Sequence, residues 1–475
     1  MSANSSILLK NGTLLIHSDE DHGVNPIISD LLIRGNLIER IAQNISAEKG
    51  TVVIDCTDKI ISPGFIDTHR HMWHTQMKGY ADSMLLQYIT EVTLVAGPLY
   101  KPKDVFWGQL AGCLEALDAG TTTVVDHSHI NHNKENAPSA INATLTSGIR
   151  SFYCYCPTTW SPENPAESYI APWFEEQLEY LASLLPTVGQ GRIIPGLAFD
   201  GIGGAKETVE AIIGRARQLN LRLITTHHIP PVESIKVLSD YNLLSKDMLF
   251  SHANTITDEE ISLLSAKGGF ISSSPSTELQ MGMGSPVCSK PELRAFSSLG
   301  VDCHSTTSAE LFGQMRLVLQ SARNTYTEKI GHTPDETNFT AQEVFNMGTI
   351  GAARTVGMED SLGSLKEGKL ADIVIFDGIS PAMLCGTPKD PVGAIVLHAS
   401  ARDVHTVIVD GVVRKSGGIL LSSQYETCTS LESNETIEWK TVVKEVVESR
   451  ARIEELLKGI DMERAKLAIG AAFQL

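Results

Sequence analysis

Between residues 61 and 303 the sequence alternates strand-like and helix-like segments about eight times, and this alternation constrains the fold more than any other feature. Strand candidates fall at 61–67, 121–127, 149–155, 192–199, 221–227, 247–252, 269–274 and 299–303. Amphipathic helical segments lie between them. PKDVFWGQLAGCLEALDAG closes on Gly120, a residue suited to the left-handed stop after a helix. TDEEISLLSAKGG opens on Thr257 with Glu260 three residues later, a spacing that lets hydroxyl and carboxylate cap each other's backbone amides. Successive βα units of this number predict an α/β fold, a parallel (β/α)8 TIM barrel. Pattern alone leaves a six-stranded open sheet as the alternative.

A barrel of about 250 residues is one domain, so a chain of 475 residues has room for a satellite. Strand-like runs at both ends supply it. ILLKNGTLLI, DLLIRGNLIERIA and TVVIDC lie near the start; ADIVIFDG, GAIVLHAS and VHTVIVDGVVRKSGG lie near residues 370–418. Asp410-Gly411 between VHTVIV and VVRK is a hairpin signal. Neither set buries a core alone, so residues 1–58 plus 355–425 are expected to form one small β-sandwich. Residues 59–354 would be the catalytic barrel, and 426–475 a charged, amphipathic helical tail.

Composition narrows the function. Hydrophobic residues are 42% and charged residues 20%, enough for a large core. The net charge of −18 disfavours binding to nucleic acid or to anionic membranes, which require basic patches. No apolar run is long enough to span a bilayer, and the start carries no basic-then-apolar signal pattern. Eight scattered cysteines do not make a disulfide scaffold. The expectation is a cytoplasmic protein acting on a small-molecule substrate.

Four segments put metal-liking groups at the carboxyl ends of the expected strands, where barrel active sites lie. In PGFIDTHRHMWHT, His69 and His71 are two apart on a strand and share a face, so both can grip one metal. LITTHHI carries His227 and His228, LFSHANT ends its strand at His252, and GVDCHS contains Asp302. Strand alternation turns Cys303 away from Asp302, toward packing. Any one of these alone fits an ordinary core histidine or turn aspartate; the four in order along the strands do not.

With those residues in view, the chain resembles the amidohydrolase superfamily, in the branch of cytosine deaminase and atrazine chlorohydrolase. The likeness rests on PGFIDTHRH, AGTTTVVD, LFSHANTITDEEISLLSAKGG, SSSPSTELQMGMG, LGVDCHST and EGKLADIVIFDG, and spans about residues 1–425. It implies metal ligands His69, His71, His227 and Asp302. It implies catalytic roles for Asp302, as proton acceptor, and for His252, which would orient the water, polarise the reacting centre or ligate the metal. No lysine stands in VVDHSHI to bridge two metals, which implies one divalent transition metal, Zn²⁺ first, with Fe²⁺ or Mn²⁺ as substitutes. The implied reaction is hydrolysis of a C–N bond in a small cyclic or heteroaromatic substrate by an activated water. The resemblance also implies a homo-oligomer, with a dimer favoured.

One departure matters. Deaminases of this branch place a glutamate three residues after the strand-5 histidine; here Pro230 and Pro231 stand there, and Glu233 lies too far along. Pocket candidates that could shape the site or replace that acid are Trp73, His74, His129, His228 and His304. The missing glutamate also keeps open a non-hydrolytic reaction on the same metal site, such as decarboxylation, isomerisation or ring closure.

Overall fold

The protein is described here as a computed structural model covering residues 6–80, 82–161, 164–184, 188–428 and 435–473. Eight parallel strands follow one another around a barrel: Phe65–Arg70, Thr121–Ser128, Arg150–Tyr155, Ile193–Ala198, Ile224–His228, Met248–His252, Phe270–Ser273 and Ser297–Leu299. The seam between last and first is closed beyond Leu299, where the Asp302 amide donates to the His69 carbonyl at 2.8 Å. The helix Pro102–Asp118 and the capped helix Asp258–Lys267 stand where the periodicity placed them. In the latter, Thr257 and Glu260 cap each other's amides as the spacing predicts.

Both chain ends meet in one nine-stranded sheet. Its centre pairs Ser6–His17 with Lys59–Pro63, and Lys59–Pro63 with Ile373–Asp377. Asp410 (φ 53°) and Gly411 (φ 72°) turn the hairpin between Val404–Val409 and Val412–Ser416. Paired left-handed residues match the twist of the flanking strands. Sheet and barrel are joined by a buried ion cluster. The Arg150 guanidinium, on the third barrel strand, reaches Asp372 at 2.9 and 3.1 Å and Asp410 at 3.0 Å.

Three expected strands are corrected, one of them 299–303, where the strand is Ser297–Leu299 and Asp302 lies beyond its end. The stretch 61–67 is not one barrel strand: the chain leaves the end sheet at Pro63, and the barrel strand starts at Phe65. Gly64 makes the change of sheet, and a Cβ there would lie 2.1 Å from Thr122 Oγ1. GAIVLHAS is a helix, Pro391–His398, opened by the Asp390 carboxylate accepting from the Gly393 amide at 2.8 Å. A short, wholly apolar run has no period to tell a buried strand from a buried helix, and here the cap and the proline at the first helical position decide.

The tail is two helices, Trp439–Leu457 and Met462–Phe473. Ser449 donates to Asp104 at 2.7 Å and Arg452 pairs with the same carboxylate, tying the first to the helix after barrel strand 1. The second packs on residues 89–96, with Lys466 3.1 Å from Glu91.

Candidate functional site

The carboxyl ends of the barrel strands bring four histidine side chains together around Asp302. Its Oδ1 lies 3.2 Å from Nε2 of both His69 and His71, and its Oδ2 3.7 Å from His252 Nε2. Donor atoms of His69, His227, His252 and Asp302 all lie within 4.8 Å of one another. His252 (φ 73°) and Asp302 (φ 62°) are left-handed, a conformation uncommon for residues other than glycine and concentrated at functional sites. The turn at Asp302 also breaks strand alternation. Cys303 therefore does not face away: its sulfur lies within 4.8 Å of donor atoms of His71 and Asp302.

Each imidazole is oriented through Nδ1. His71 Nδ1 donates to the His127 carbonyl at 2.8 Å, and His227 Nδ1 to Asp200 Oδ1 at 3.0 Å. Since those partners only accept, the neutral form of each ring turns its Nε2 lone pair toward the centre. His69 Nδ1 pairs with Ser251 Oγ at 2.8 Å, and His252 Nδ1 with Glu278 Oε1 at 3.4 Å. His69 Nε2 is buried with no properly angled hydrogen bond. Inward lone pairs, a buried carboxylate and an orphaned ring nitrogen form a donor set that fits a transition metal such as zinc, with the outer hydrogen bonds that commonly fix metal-binding histidines.

Burial alone would raise the Asp302 carboxyl; the His69 and His71 rings beside it hold it well below the usual carboxylate range. Burial pushes His69 well below its ordinary value, so the ring is neutral. Asp200 resists the upward push of burial because the His227 and His127 rings flank it, and it too is held low. His227 moves up: the Asp200 carboxylate outweighs its burial.

The remaining sequence candidates separate. His129 lines the central cavity and stacks on His71 at 4.0 Å between ring centroids. Trp73 is buried behind it and donates Nε1–H to His129 Nδ1 at 3.3 Å. His74 is a layer further out, its Nε2 3.4 Å from the hydroxyl of Tyr88, which does line the cavity. His228 does not reach the cavity. Being next to His227 on a strand it faces outward, its Nδ1 2.9 Å from Ser234 Oγ and its Nε2 3.6 Å from Glu260. His304 pairs with Thr75 Oγ1 at 3.2 Å and opens on a different surface depression, beside Lys78 and Glu115. Neither His228 nor His304 lines the cavity, which corrects their expected place against a substrate, and Trp73 and His74 stand behind lining residues. Glu233 is exposed at the start of helix Ser234–Asp240 and is not a cavity residue.

Two site residues escaped the sequence reading. Asp200 follows barrel strand 4 at its carboxyl end, so the strand-end rule that found the others could have found it. Glu278 sits in the short helix Pro275–Gln280 after strand 7, in a stretch with no strand period to flag it.

A model of the family described as "Amidohydrolase family" matches residues 60–414. Among curated proteins, a 5-methylthioadenosine/S-adenosylhomocysteine deaminase of Pyrococcus furiosus is 24% identical over 424 residues, 86% of this chain and 94% of that protein. A 5′-deoxyadenosine deaminase of Methanosphaera stadtmanae is 29% identical over 427 residues, 86% of this chain and 93% of the other. Among solved structures, an atrazine chlorohydrolase from Arthrobacter aurescens complexed with zinc superposes with a TM-score of 0.78 at 20% identity, covering 94% of this chain and 100% of that one. An adenosine deaminase from Xanthomonas campestris with bound zinc gives 0.77 at 17%, covering 95% and 99%. At such identities the two structures establish a shared fold.

Proposed function

The chain belongs to the amidohydrolase family, and from that premise we propose that it deaminates a small amino-substituted heteroaromatic compound at a single metal. It is a metal-dependent hydrolase of carbon–nitrogen bonds other than peptide bonds. The observation that carries the reading is the convergence of inward-facing Nε2 atoms on one buried carboxylate. The names of the curated relatives, deaminases of adenine nucleosides, support the reaction class.

His69, His71, His227 and Asp302 would hold the metal, zinc by the chemistry of three imidazoles and one carboxylate. A divalent metal at such a site lowers the pKa of a water from 15.7 to about 7 and so makes a nucleophile available at neutral pH. Asp302, held ionised, accepts the proton that the water loses as its oxygen bonds to the ring carbon. The same proton then leaves with the amine as the C–N bond breaks, releasing ammonia. His252 Nε2, 3.7 Å from Asp302 Oδ2, orients the attacking water. His129 takes the place of the absent glutamate as a hydrogen-bond donor: Trp73 can only donate, so His129 accepts at Nδ1 and carries its proton on Nε2. It is one of the histidines suggested for that role and lines the cavity; His228 and His304 do not.

Eight cysteines without disulfides suit the reducing cytoplasm. Exposed Val443 and Val447 on the first tail helix suit a homodimer contact. The test is metal analysis of the purified protein together with an ammonia-release screen over aminated purines, pyrimidines and triazines. One metal per chain and ammonia from at least one ring are expected; no metal, two metals, or carbon dioxide in place of ammonia overturns the proposal.

A further inference from the structure

The cavity above the five converging side chains has two unlike halves. Its floor is polar, built from His71, His129, Asp200, Thr226, His227, His252 and Asp302 at the strand ends. Its wall comes from four connections, with Ile202 after strand 4 among its residues, and is apolar apart from Tyr88 and Thr93. Leu85, Ile89 and Leu94 project from the helical stretch after strand 1. Ile229 and Val232 flank the Pro230-Pro231 pair after strand 5, and Met281 and Met283 follow strand 7. Among the described lining residues, no lysine, arginine or glutamate is present, and the only aspartates are Asp200 and Asp302 on the floor.

The polar groups near the wall, Tyr88, Thr93 and Asp200, are engaged, Thr93 with the Tyr88 hydroxyl. The Tyr88 hydroxyl lies 3.4 Å from His74 Nε2. Asp200 already receives the His227 amide at 2.8 Å, His227 Nδ1 at 3.0 Å, His127 Nε2 at 3.1 Å and Thr226 Oγ1 at 3.3 Å. A sugar diol pressed against this wall would bury hydroxyls without partners, and an amino-acid tail would bury charges without counter-charges. Each such group costs on the order of tenfold or more in binding. An alkyl, aryl or thioether group would instead gain from every apolar contact, and methionine adapts to the shape of such a group.

We propose that the substrate carries, away from its reacting amino group, an apolar substituent that fills this wall, in place of a hydroxyl-rich sugar or a charged tail. The inference deepens the deaminase reading and rests on it for the reacting end. It sets this chain apart from relatives whose names specify nucleosides.

The test uses the full-length holoenzyme and three rings, 6-aminopurine, 4-aminopyrimidine and 2-amino-s-triazine. Each ring carries a butyl, a ribosyl or a 3-amino-3-carboxypropyl group. On whichever ring releases ammonia, the butyl member is expected to exceed the other two at least tenfold in kcat/KM. Parity, or preference for the ribosyl or charged member, overturns the inference. If no ring releases ammonia, the deaminase reading fails by itself, and calorimetric binding of the same nine compounds judges the wall. A butyl preference then upholds it; equal binding, or no binding, overturns it. Val232→Asn and Met283→Gln should each reduce the butyl preference several-fold while metal content stays at the wild-type level. An unchanged preference in both variants counts against the wall.

Discussion

Two buried polar clusters in this molecule are built on opposite plans. Where barrel meets end sheet, Arg150 satisfies Asp372 twice and Asp410 once, and Asp372 Oδ1 also accepts the Asp410 amide at 2.7 Å. At the barrel mouth, nitrogen lone pairs face one another across Asp302, and His69 Nε2 is left without a hydrogen bond. The first cluster is complete within the protein; the second is a donor set that a cation would complete. A buried group left short of partners is costly, so a cluster of that kind persists where an added ion completes it. The same contrast separates a residue that holds the fold from one that works on a substrate.

The largest effect should come at the mouth. Asp302→Asn is expected to lower turnover by about 10²–10⁴-fold, the usual worth of a positioned acid–base group, while circular dichroism and the metal-free Tm stay near wild type. A variant that unfolds would place Asp302 in the fold-holding class and break the comparison. The reverse pattern is expected at the interface. Arg150→Met strands two buried carboxylates and should cost about 3–5 kcal/mol in urea unfolding, with metal stoichiometry retained in the folded fraction. A loss below 1 kcal/mol would show that the cluster is not the joint it resembles.

A third expectation concerns His17, on the first strand of the end sheet, stacked on Phe345 with Nε2 3.1 Å from Asn346 Oδ1. Burial drives its pKa down to about 4 from 6.5, only partly opposed by the Asn346 hydrogen bond. Between those values the unfolded chain binds the proton more readily than the folded one. Stability is therefore full above about pH 6.5 and falls as the pH drops toward 4, by up to about 3 kcal/mol. His17→Gln should flatten that limb of the urea-derived stability profile; an unchanged slope would assign the acid sensitivity elsewhere. The smallest effects distinguish the histidines. His129→Gln should lower kcat by about tenfold or more with metal kept, whereas His228→Gln and His304→Gln should change it less than threefold. Equal losses in all three would remove His129 from the proton path.

The barrel and the five converging side chains were legible because both follow from backbone periodicity. Strand–helix alternation predicted the eight strands, and the strand-end rule found His69, His71, His227, His252 and Asp302. The reading failed where alternation was not applied and where period gives no information. His228 was drawn into the pocket although the alternation that selects His227 turns its neighbour outward. His304 and Cys303 lie beyond the left-handed turn at Asp302, after which strand faces no longer extrapolate. GAIVLHAS had no period at all. The apolar wall was out of reach because Leu85, Val232 and Met283 lie on three separate connections, and only the closed barrel brings them together.

The last helix, Met462–Phe473, packs behind residues 89–96 and so backs one side of that wall. It lies outside residues 60–414, the span that the family model covers. The strand ends that carry the converging side chains lie within that span, whereas the backing of the surface facing the cavity comes partly from a helix beyond it. A substitution in that helix would reach the wall of the cavity without touching any histidine at the strand ends.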